Sequence, residues 1–330
     1  CRLSTVVTPG AGLACAGRLD FKPDCRGDDC RRTNSVSCGC PTPGIGHRSE
    51  TEAVKLAPGS IVVITGAASG IGEGLARECV ERGYRAALAD IEGPALRALV
   101  ADLDPSSRTV VSGLVDVANP DSVDGFAQRV LEGPGIPDLI IANAGVIGPA
   151  VPMWEQSTKD WEWIIGVNLL GVVNTWAAFL PAMIERGTGH VVATASVAGL
   201  APGQSIGNAP YAATKYGVVG LCDNLRIELS KVAPEMLVTA LVAGPVRSRI
   251  RQATRNRPHA YGGPEVPQML ANDPFPSRLE ADEFAKRVFD GLERSPRYLL
   301  PNEDFVEPVA SHLDGIAAEL RGSQCGVFPD

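Results

Sequence analysis

Tyr211 and Lys215 could form an acid–base pair, because they lie four residues apart at the start of an apolar helical stretch. A helix places side chains at positions i and i+4 on the same face. A phenol normally loses its proton near pH ~10, but a fixed ammonium close to it favours the phenolate and lowers that pKa. We therefore expect Tyr211 to exchange protons near neutral pH. The spacing alone is also compatible with an ordinary amphipathic helix.

A glycine turn follows the apolar run 61-65 and leads into a helical segment. The turn has the spacing G-x3-G-x-G and contains Gly66, Ser69, Gly70, Ile71 and Gly72. Glycines let the backbone turn tightly and approach a diphosphate, while the free amides at the start of a helix bind negative charge. The segment therefore predicts a nucleotide-binding turn. The alternative is a tight strand-to-helix connection without a ligand.

Asp90 ends the next apolar run, 85-89, and lies 24 residues after Gly66. An acidic residue that binds ribose is expected close to this position. Such a carboxylate can accept hydrogen bonds from both ribose hydroxyls and would repel a 2'-phosphate. The three following residues, 91-93, include no Arg or Lys that would attract one. The sequence thus favours NAD over NADP, with a helix-capping role for Asp90 as the alternative.

Residues 59 to 301 resemble a short-chain dehydrogenase/reductase of the common single-domain branch, because several motifs occur in the family's order. The segment 65-72 resembles the family's cofactor signature. Two further segments resemble its adenine contact and the part that stabilises the central sheet beside the cofactor, namely Asp116 and Val117, then Asn143, Ala144 and Gly145. Four residues resemble the catalytic tetrad: Asn168, Ser196, Tyr211 and Lys215.

The resemblance implies an NAD-dependent oxidoreductase that interconverts a secondary alcohol and a ketone by hydride transfer. Tyr211 would be the general acid–base, Ser196 would hydrogen-bond the reacting oxygen, and Lys215 would bind the nicotinamide ribose and lower the pKa of Tyr211. Asn168 would anchor a water molecule for proton exit. Two alternatives stay open. Asp90 argues against an NADPH-dependent ketoreductase of a biosynthetic pathway, and the tetrad argues against a non-catalytic dinucleotide-sensing protein.

The resemblance extends, with one difference, to the segment after the sixth apolar run. The family usually has a Pro-Gly pair there, whereas in this sequence Gly244 precedes Pro245. Ser248 stands where the family usually has Thr, and its hydroxyl could still contact the nicotinamide carboxamide. We therefore expect Gly244, Val246 and Ser248 to contact the cofactor.

Apolar runs alternate with longer amphipathic stretches, at 61-65, 85-89, 109-114, 138-142, 190-195, 237-242 and 297-300. Strands that are apolar along their whole length need helices on both faces. The rhythm predicts a single α/β domain over 58-330, with a doubly wound, Rossmann-like parallel sheet. Ligands of such folds bind beyond the carboxyl ends of the strands. The predicted site residues fall at these ends.

Composition favours an enzyme that acts on small molecules. The 330 residues are 45% hydrophobic, which can supply a core, and the net charge of -8 argues against nucleic-acid binding. No uninterrupted apolar run approaches about 18 residues, so we expect no membrane span. Cys79, Cys222 and Cys325 fit thiols of a reducing compartment, which favours a cytoplasmic location. No metal-ligand set is expected at the site, and the resemblance implies a homodimer or homotetramer through helices near 158-186 and 211-232.

Residues 1-57 differ from the rest of the chain, because they contain six of the nine cysteines in a Gly-, Pro-, Arg- and Asp-rich background. These are Cys1, Cys15, Cys25, Cys30, Cys38 and Cys40. The lack of hydrophobic periodicity predicts a poorly ordered extension without a catalytic role or with a targeting role. The alternatives are a small disulfide-linked knot and a zinc site using Cys25, Cys30, Cys38, Cys40 or His47, although no C-x2-C pair is present.

The segment of about 246-277 corresponds to the family's variable substrate loop. It contains five arginines, at Arg247, Arg249, Arg251, Arg255 and Arg257. They could bind a carboxylate or phosphate of the substrate, or they could form a solvated face. An apolar pocket could instead be lined by Met153, Trp154, Met269 and Phe275. The sequence leaves both an anionic and an apolar alcohol open.

Overall fold

The computed structural model describes residues 56–104, 106, 109–201, 209–264 and 278–322. Its strands are β1 (Ile61–Thr65), β2 (Arg85–Asp90), β3 (Val110–Leu114), β4 (Leu139–Ala142), β5 (His190–Ser196), β6 (Leu237–Ala243) and β7 (Tyr298–Leu299). Its helices are α1 (Ile71–Glu81), α2 (Gly93–Leu103), α3 (Pro120–Glu132), α4 (Thr158–Ile165), α5 (Gly171–Arg186), α6 (Ala209–Val232), α7 (Ala281–Leu292) and α8 (Val306–Gly322).

The seven strands form a parallel sheet in the order β3-β2-β1-β4-β5-β6-β7. The strand order reverses between β1 and β4, which places a crevice at their carboxyl ends. The predicted α/β, doubly wound, Rossmann-like class is confirmed. All seven apolar runs became strands with nearly the expected bounds, except that β7 is only two residues long.

Alternate residues of the central strands pack into two separate cores. Val63 of β1 and Ile140 of β4 pack with α3, α5 and α6 on one face of the sheet. Val62 and Ile64 of β1 pack with α1, α2 and α7 on the other face. Since successive side chains of a strand point to opposite faces, strands without polar alternation need helices on both sides. The two cores fix the sheet edge that carries the site.

The segment Thr158–Arg186 comprises α4, a short π-helix and α5, and its mean hydropathy reaches 1.6. By length and composition it could cross a membrane. Trp163, Phe179 and Met183 of this segment are almost fully buried, and Phe179 packs edge-to-face on Phe126 of α3. It is therefore a core helix of this domain. Polar residues interrupt this segment, so a search for long uninterrupted apolar runs in the sequence does not detect it.

Some sequence predictions fall outside the described residues. These include the interpretations of the Cys-rich segment, which lies almost entirely within residues 1–55, and those of Met269, Phe275 and Cys325. Cys79 and Cys222 are free and buried in the core. Burial raises the pKa of the Cys222 thiol to about 12. Both cysteines are therefore unreactive packing residues.

Candidate active site

A cavity of about 580 Å³ opens at the carboxyl ends of the strands. Fifteen of the eighteen predicted site residues line it: Gly66, Ser69, Ile71, Asp90, Asp116, Val117, Asn143, Ala144, Gly145, Ser196, Tyr211, Lys215, Gly244, Val246 and Ser248. Gly70, Gly72 and Asn168 do not line it. The fold therefore brings together residues that are up to 182 positions apart in the sequence.

Tyr211 and Lys215 lie one turn apart on α6 and both face the cavity. Nζ of Lys215 lies 5.6 Å from the centroid of the Tyr211 ring. It also donates a hydrogen bond of 2.6 Å to the carbonyl oxygen of Thr194 in β5. Because Lys215 is almost fully buried, the strand holds its ammonium in one place beside the phenol.

Burial disfavours the charged form of both groups. It lowers the pKa of Lys215 to about 8. It raises the pKa of Tyr211 above its ordinary value, although a side-chain hydrogen bond with Ser196 opposes that shift. The direction for Tyr211 is opposite to the one expected from the sequence. Desolvation of the phenolate is the largest cause of this shift, and the hydrogen bond with Ser196 offsets it only in part.

Ser196 is the last residue of β5, and its side chain lies at the carboxyl edge of the sheet. It is mostly buried, and its Oγ accepts a hydrogen bond of 3.2 Å from the amide of Ala198. With that lone pair occupied, the hydroxyl proton is available for a neighbouring oxygen. Ser196 can therefore donate to Tyr211 or to an oxygen bound beside it.

Asn168 lies in the π-helix Gly166–Leu170 between α4 and α5, a local break that the sequence analysis did not predict. Its Oδ1 accepts a hydrogen bond of 2.8 Å from the amide of Val146. Its Nδ2 donates to the carbonyl oxygen of Val146 at 2.9 Å and to Oγ1 of Thr214 at 3.2 Å. The fully buried Asn168 side chain thus ties the loop after β4 to α6. Its expected role as a water anchor stays a prediction.

The glycine turn leaves no room for side chains. Gly66 and Gly70 have positive φ angles of 66° and 57°, which L side chains rarely adopt. A Cβ at Gly70 would lie 2.6 Å from Cβ of Ser248, and one at Gly72 would lie 1.9 Å from the carbonyl oxygen of Gly66. Close packing therefore requires glycine at these positions, and Gly66 lines the cavity before the start of α1. This turn fits the diphosphate of a dinucleotide.

The carboxylate of Asp90 is fixed by backbone amides at the end of β2. Oδ2 accepts a hydrogen bond of 2.7 Å from the amide of Ala68, and Oδ1 accepts one of 2.8 Å from the amide of Glu92. Each carboxylate oxygen can accept a further hydrogen bond, and Asp90 lines the cavity. The residue therefore fits the two hydroxyls of a ribose.

Thr65, Asn143 and Thr194 join the ends of the three central strands. The amide of Asn143 donates to Oγ1 of Thr65 at 3.0 Å, and its Nδ2 donates to the carbonyl oxygen of Thr65 at 3.1 Å. Oγ1 of Thr194 donates to Oδ1 of Asn143 at 3.2 Å. The same Thr194 accepts the hydrogen bond from Lys215. The network thus connects the glycine turn to the lysine.

The Gly244–Pro245 turn is stabilised by Asn302, a residue that the sequence analysis missed. The amide of Gly244 donates to Oδ1 of Asn302 at 3.0 Å, and Nδ2 of Asn302 donates to the carbonyl oxygen of Pro245 at 3.1 Å. A side chain at Gly244 would clash with Asn302, since a Cβ there would lie 2.7 Å from its Cγ. Ser248 lies on the opposite side of this turn, against Gly70. The hydrogen bonds from and to Asn302 therefore stabilise the turn although Gly244 precedes Pro245, the reverse of the family's usual Pro-Gly order.

Four of the five loop arginines form ion pairs. Arg247 pairs with Glu280, Arg257 pairs with Asp160, and Arg249 and Arg255 both pair with Glu92. The Arg257–Asp160 pair is almost completely buried, at 1% and 8% exposed, and Arg257 lies over the ring of Trp163. These contacts hold the 3-10 helices Ile250–Asn256 and His259–Tyr261 beside the cavity.

The remaining cavity wall is mostly apolar and comes largely from residues that the sequence analysis did not select. It includes Val146, Ile147, Trp163, Ala253, Tyr261, Phe305 and Val309, with Arg251 and His312 as polar members. The segment around α8 had no motif that could have revealed this contribution. The suggestion that Met153 and Trp154 line the pocket is wrong, because both are exposed on a short 3-10 helix before α4.

A glycine turn and a Tyr–Lys pair that line one cavity are typical of a dinucleotide-dependent oxidoreductase. A family model described as short chain dehydrogenase matches residues 60–259. This chain therefore belongs to the short-chain dehydrogenase/reductase family. It is an NAD(P)-dependent oxidoreductase that acts on CH–OH groups.

Known proteins resemble this chain over most of its length. The CLA biosynthesis dehydrogenase/reductase of Lactiplantibacillus plantarum is 29% identical over 270 residues, which are 78% of this chain and 93% of that protein. A short chain dehydrogenase/reductase of Burkholderia phymatum in complex with NAD has a TM-score of 0.71 and 30% identity, and covers 79% of this chain and 95% of its own. A short-chain dehydrogenase of Sphingobium yanoikuyae in complex with NADPH has a TM-score of 0.65 and 26% identity, with coverages of 82% and 98%.

Proposed function

We propose that this protein oxidises a secondary alcohol to a ketone with NAD, and that Tyr211 is its general base. The observation that carries the proposal is the position of Tyr211, Ser196 and Lys215 on the same cavity as Asp90 and the glycine turn. A proton acceptor, a hydroxyl donor and a cation thus surround the place beside the cofactor turn where an alcohol can react. The related Burkholderia protein in complex with NAD supports the same use of the fold.

A bound oxidised nicotinamide would supply the acceptor for the hydride that leaves the carbinol carbon of the alcohol. Tyr211 takes the hydroxyl proton onto its phenolate oxygen, and Ser196 donates a hydrogen bond to the alcohol oxygen as its charge changes. Because burial raises the pKa of Tyr211, the phenolate needs a nearby positive charge. Lys215 supplies that charge below its own pKa of about 8. Asn168 is proposed to anchor the water through which the proton leaves.

NAD is the proposed cofactor because Asp90 offers two fixed carboxylate oxygens at the end of β2. Ribose hydroxyls can donate to them, whereas a 2'-phosphate would be repelled. Related structures contain NAD in one case and NADPH in another, so the preference is argued from this carboxylate alone. The remaining dinucleotide contacts are assigned to the glycine turn and to the segments around Asp116, Asn143 and Gly244.

The proposed substrate is an alcohol with an apolar body. Acidic side chains engage Arg247, Arg249, Arg255 and Arg257, which leaves less positive charge for an anionic substrate than the sequence suggests. Trp163, Ala253, Phe305 and Val309 supply an apolar wall. Assays with a matched carboxylate and methyl ester test this assignment: the ester should have the lower KM. A KM advantage of the carboxylate that Arg251→Gln removes would contradict it.

The proposed assembly is a homodimer or homotetramer. Leu170, Val173 and Ile227 are exposed on the segments that contain α5 and α6, and exposed apolar side chains of this size fit an interface between copies. Light scattering coupled to gel filtration would measure the assembly mass. A monomer at micromolar concentration would contradict this part of the proposal.

The function is tested in two steps. Titration by nicotinamide fluorescence should show tighter binding of NADH than of NADPH, and a screen of secondary alcohols should then find NAD-dependent turnover. Tyr211→Phe should bind NADH nearly as wild type does and lose at least about 100-fold in turnover, because only the proton-transferring oxygen is removed. Turnover by this variant within about threefold of wild type would remove Tyr211 from the mechanism.

A further inference from the structure

Glu92 concentrates positive charge at one end of the cavity. Its carboxylate accepts hydrogen bonds from Arg249 at 3.2 Å, from Arg255, and from Nδ2 of Asn256 at 2.9 Å. The three donors come from the loop after β6, more than 150 positions further along the chain. Glu92 itself is the second residue after β2. The contact therefore brings the two loops together across the cavity.

All four side chains line the cavity. The Glu92 side chain is only 17% exposed and that of Arg255 24%, whereas Arg249 is 46% exposed. Burial alone would raise the pKa of Glu92, but the hydrogen bonds from Arg255 and Asn256 keep that pKa below its usual value. The carboxylate is consequently charged at neutral pH and neutralises part of the charge of the two guanidiniums.

This cluster adjoins Asp90. The amide of Glu92 donates a hydrogen bond of 2.8 Å to Oδ1 of Asp90, the carboxylate assigned above to the adenosine ribose. A phosphate on the 2'-oxygen of that ribose would therefore meet the Glu92 cluster. Guanidinium groups are good phosphate partners because they offer several N–H donors in one plane. Two of them lie here, but an acid occupies both.

Arg255 has further capacity for an anion. Its Nε is buried and has no hydrogen-bond partner among the described residues, while another of its nitrogens bonds Glu92. A buried guanidinium nitrogen without an acceptor is unfavourable. Release of the Glu92 contact would thus leave a cation with two unsatisfied positions beside the cavity.

We propose that Glu92 determines cofactor selectivity together with Asp90, by occupying Arg249 and Arg255 so that they cannot bind a 2'-phosphate. This inference rests on the proposed function, since it uses the placement of the adenosine ribose at Asp90. It assigns the choice between NAD and NADP to a charge balance between two loops. The cations that could reverse the cofactor preference, Arg249 and Arg255, come from the substrate loop. They are not among the residues directly after Asp90.

Calorimetric titration of the full chain with 5'-AMP and with 2',5'-ADP tests the inference, since the two probes differ only in the 2'-phosphate. Glu92→Gln should improve the affinity for 2',5'-ADP relative to 5'-AMP by at least about tenfold, because the two guanidiniums lose their charged partner and can pair with the phosphate. Arg255→Gln in the Glu92→Gln background should remove most of that gain. Added salt should reduce the gain as well.

Glu280→Gln is the matched control. It releases Arg247 of the same loop, but this pair is exposed and does not line the cavity. The ratio of the two affinities should stay within about twofold of wild type. If Glu92→Gln lowers the thermal midpoint, the ratio of the two affinities is measured again in Glu92→Ser, which also removes the carboxylate but introduces no side-chain amide.

Equal changes of both affinities in Glu92→Gln, or a weaker relative affinity for 2',5'-ADP, would overturn the role of Glu92. The wild-type ratio reports separately on the proposed function. Wild type that prefers 2',5'-ADP would contradict NAD as the cofactor, whereas the shift between wild type and variant would still measure what Glu92 contributes. The two failures are therefore distinguishable.

Discussion

The two sides of the cavity are held by different forces. On the sheet side, Lys215 and Asn143 bond to the backbone or hydroxyl of strand residues, within a core that is buried on both faces. On the loop side, the 3-10 segments 250–256 and 259–261 are held by arginine–carboxylate pairs. Hydrogen bonds inside a packed sheet respond little to salt, whereas ion pairs near the surface respond strongly. The proposed chemistry thus lies on the side held by buried hydrogen bonds, and the proposed recognition lies on the side whose exposed ion pairs salt can weaken.

The loop contacts themselves form a series from buried to exposed. Arg257 is 1% exposed, Arg255 24%, Arg249 46% and Arg247 68%. Removing one partner of a buried pair leaves a charge without solvent, whereas an exposed pair is replaced by water at little cost. We therefore expect that breaking the Arg257 pair lowers the free energy of unfolding most, and that the loss decreases through Arg255 and Arg249 to Arg247. The Arg257 pair is thus the main anchor of the loop.

Breaking the buried loop anchor should have the largest effect on stability. Asp160→Asn removes the charge that faces Arg257 and should lower the free energy of unfolding by about 3–5 kcal/mol, measured by urea denaturation. Asn can still accept a hydrogen bond from the amide of Ser157, the N-cap of α4, as Asp160 does, so the loss reports on the ion pair. The control Glu280→Gln breaks an exposed pair and should cost only about 0–1 kcal/mol. Similar losses of unfolding free energy in Asp160→Asn and Glu280→Gln would show that the buried pair does not stabilise the fold more than the exposed pair.

On the sheet side, Lys215→Met should lower kcat/KM by roughly 100-fold, or about 2.7 kcal/mol, since it removes the cation beside Tyr211. We propose that Lys215, which is charged below its pKa of about 8, favours the phenolate of Tyr211. Its loss therefore raises the pKa of Tyr211, and the pH at which alcohol oxidation begins should move upwards. Lys231→Met at the exposed end of α6 is the control. An unchanged pH profile of alcohol oxidation in Lys215→Met would contradict the proposed effect of Lys215 on the pKa of Tyr211.

Asp90→Ala should have a smaller effect, confined to the choice of cofactor. The variant loses two acceptors for the ribose and the repulsion of a 2'-phosphate, so the preference for NADH over NADPH should narrow by about tenfold. Nicotinamide fluorescence titrations of both cofactors measure the ratio. Equal affinities already in wild type would refute the assignment of Asp90.

Deleting residues 1-57 should have the smallest effect. All described site residues lie between Gly66 and His312. Leu56 packs against the core, but the composition of the rest of the deleted segment offers little apolar surface to join it. Cofactor affinity, turnover and thermal midpoint should be nearly unchanged. If a chelator or a reductant destabilises the full chain but not the shortened one, the cysteines form a structural site after all.

The contrast between the two sides also explains what could be predicted from the sequence. The glycine turn, Asp90 and the Tyr–Lys pair depend on local spacing and on strand ends, so a sequence pattern locates them. The partners of the loop arginines, Glu92 and Asp160, are 97 to 163 positions away, and no local signal identifies them. The same holds for Asn302 at the Gly244–Pro245 turn.

The electrostatics of Tyr211 were predicted with the wrong sign for a related reason. The i, i+4 spacing places a cation beside the phenol, but it does not show how deeply both groups are buried. In the structure burial raises the pKa of Tyr211 and lowers that of Lys215. Burial depends on how the whole sheet edge packs, which only the tertiary structure shows.

The central claim is that Tyr211 removes the hydroxyl proton of a secondary alcohol while hydride passes to NAD. The most direct test uses an alcohol labelled with deuterium at the carbinol carbon, identified by the substrate screen, with wild type and Tyr211→Phe compared at saturating NAD. Wild type should form ketone and deuterated reduced nicotinamide in equal amounts. The variant should retain its affinity for NADH and lose at least about 100-fold in the rate of label transfer. Label transfer by Tyr211→Phe at nearly the wild-type rate would contradict the account.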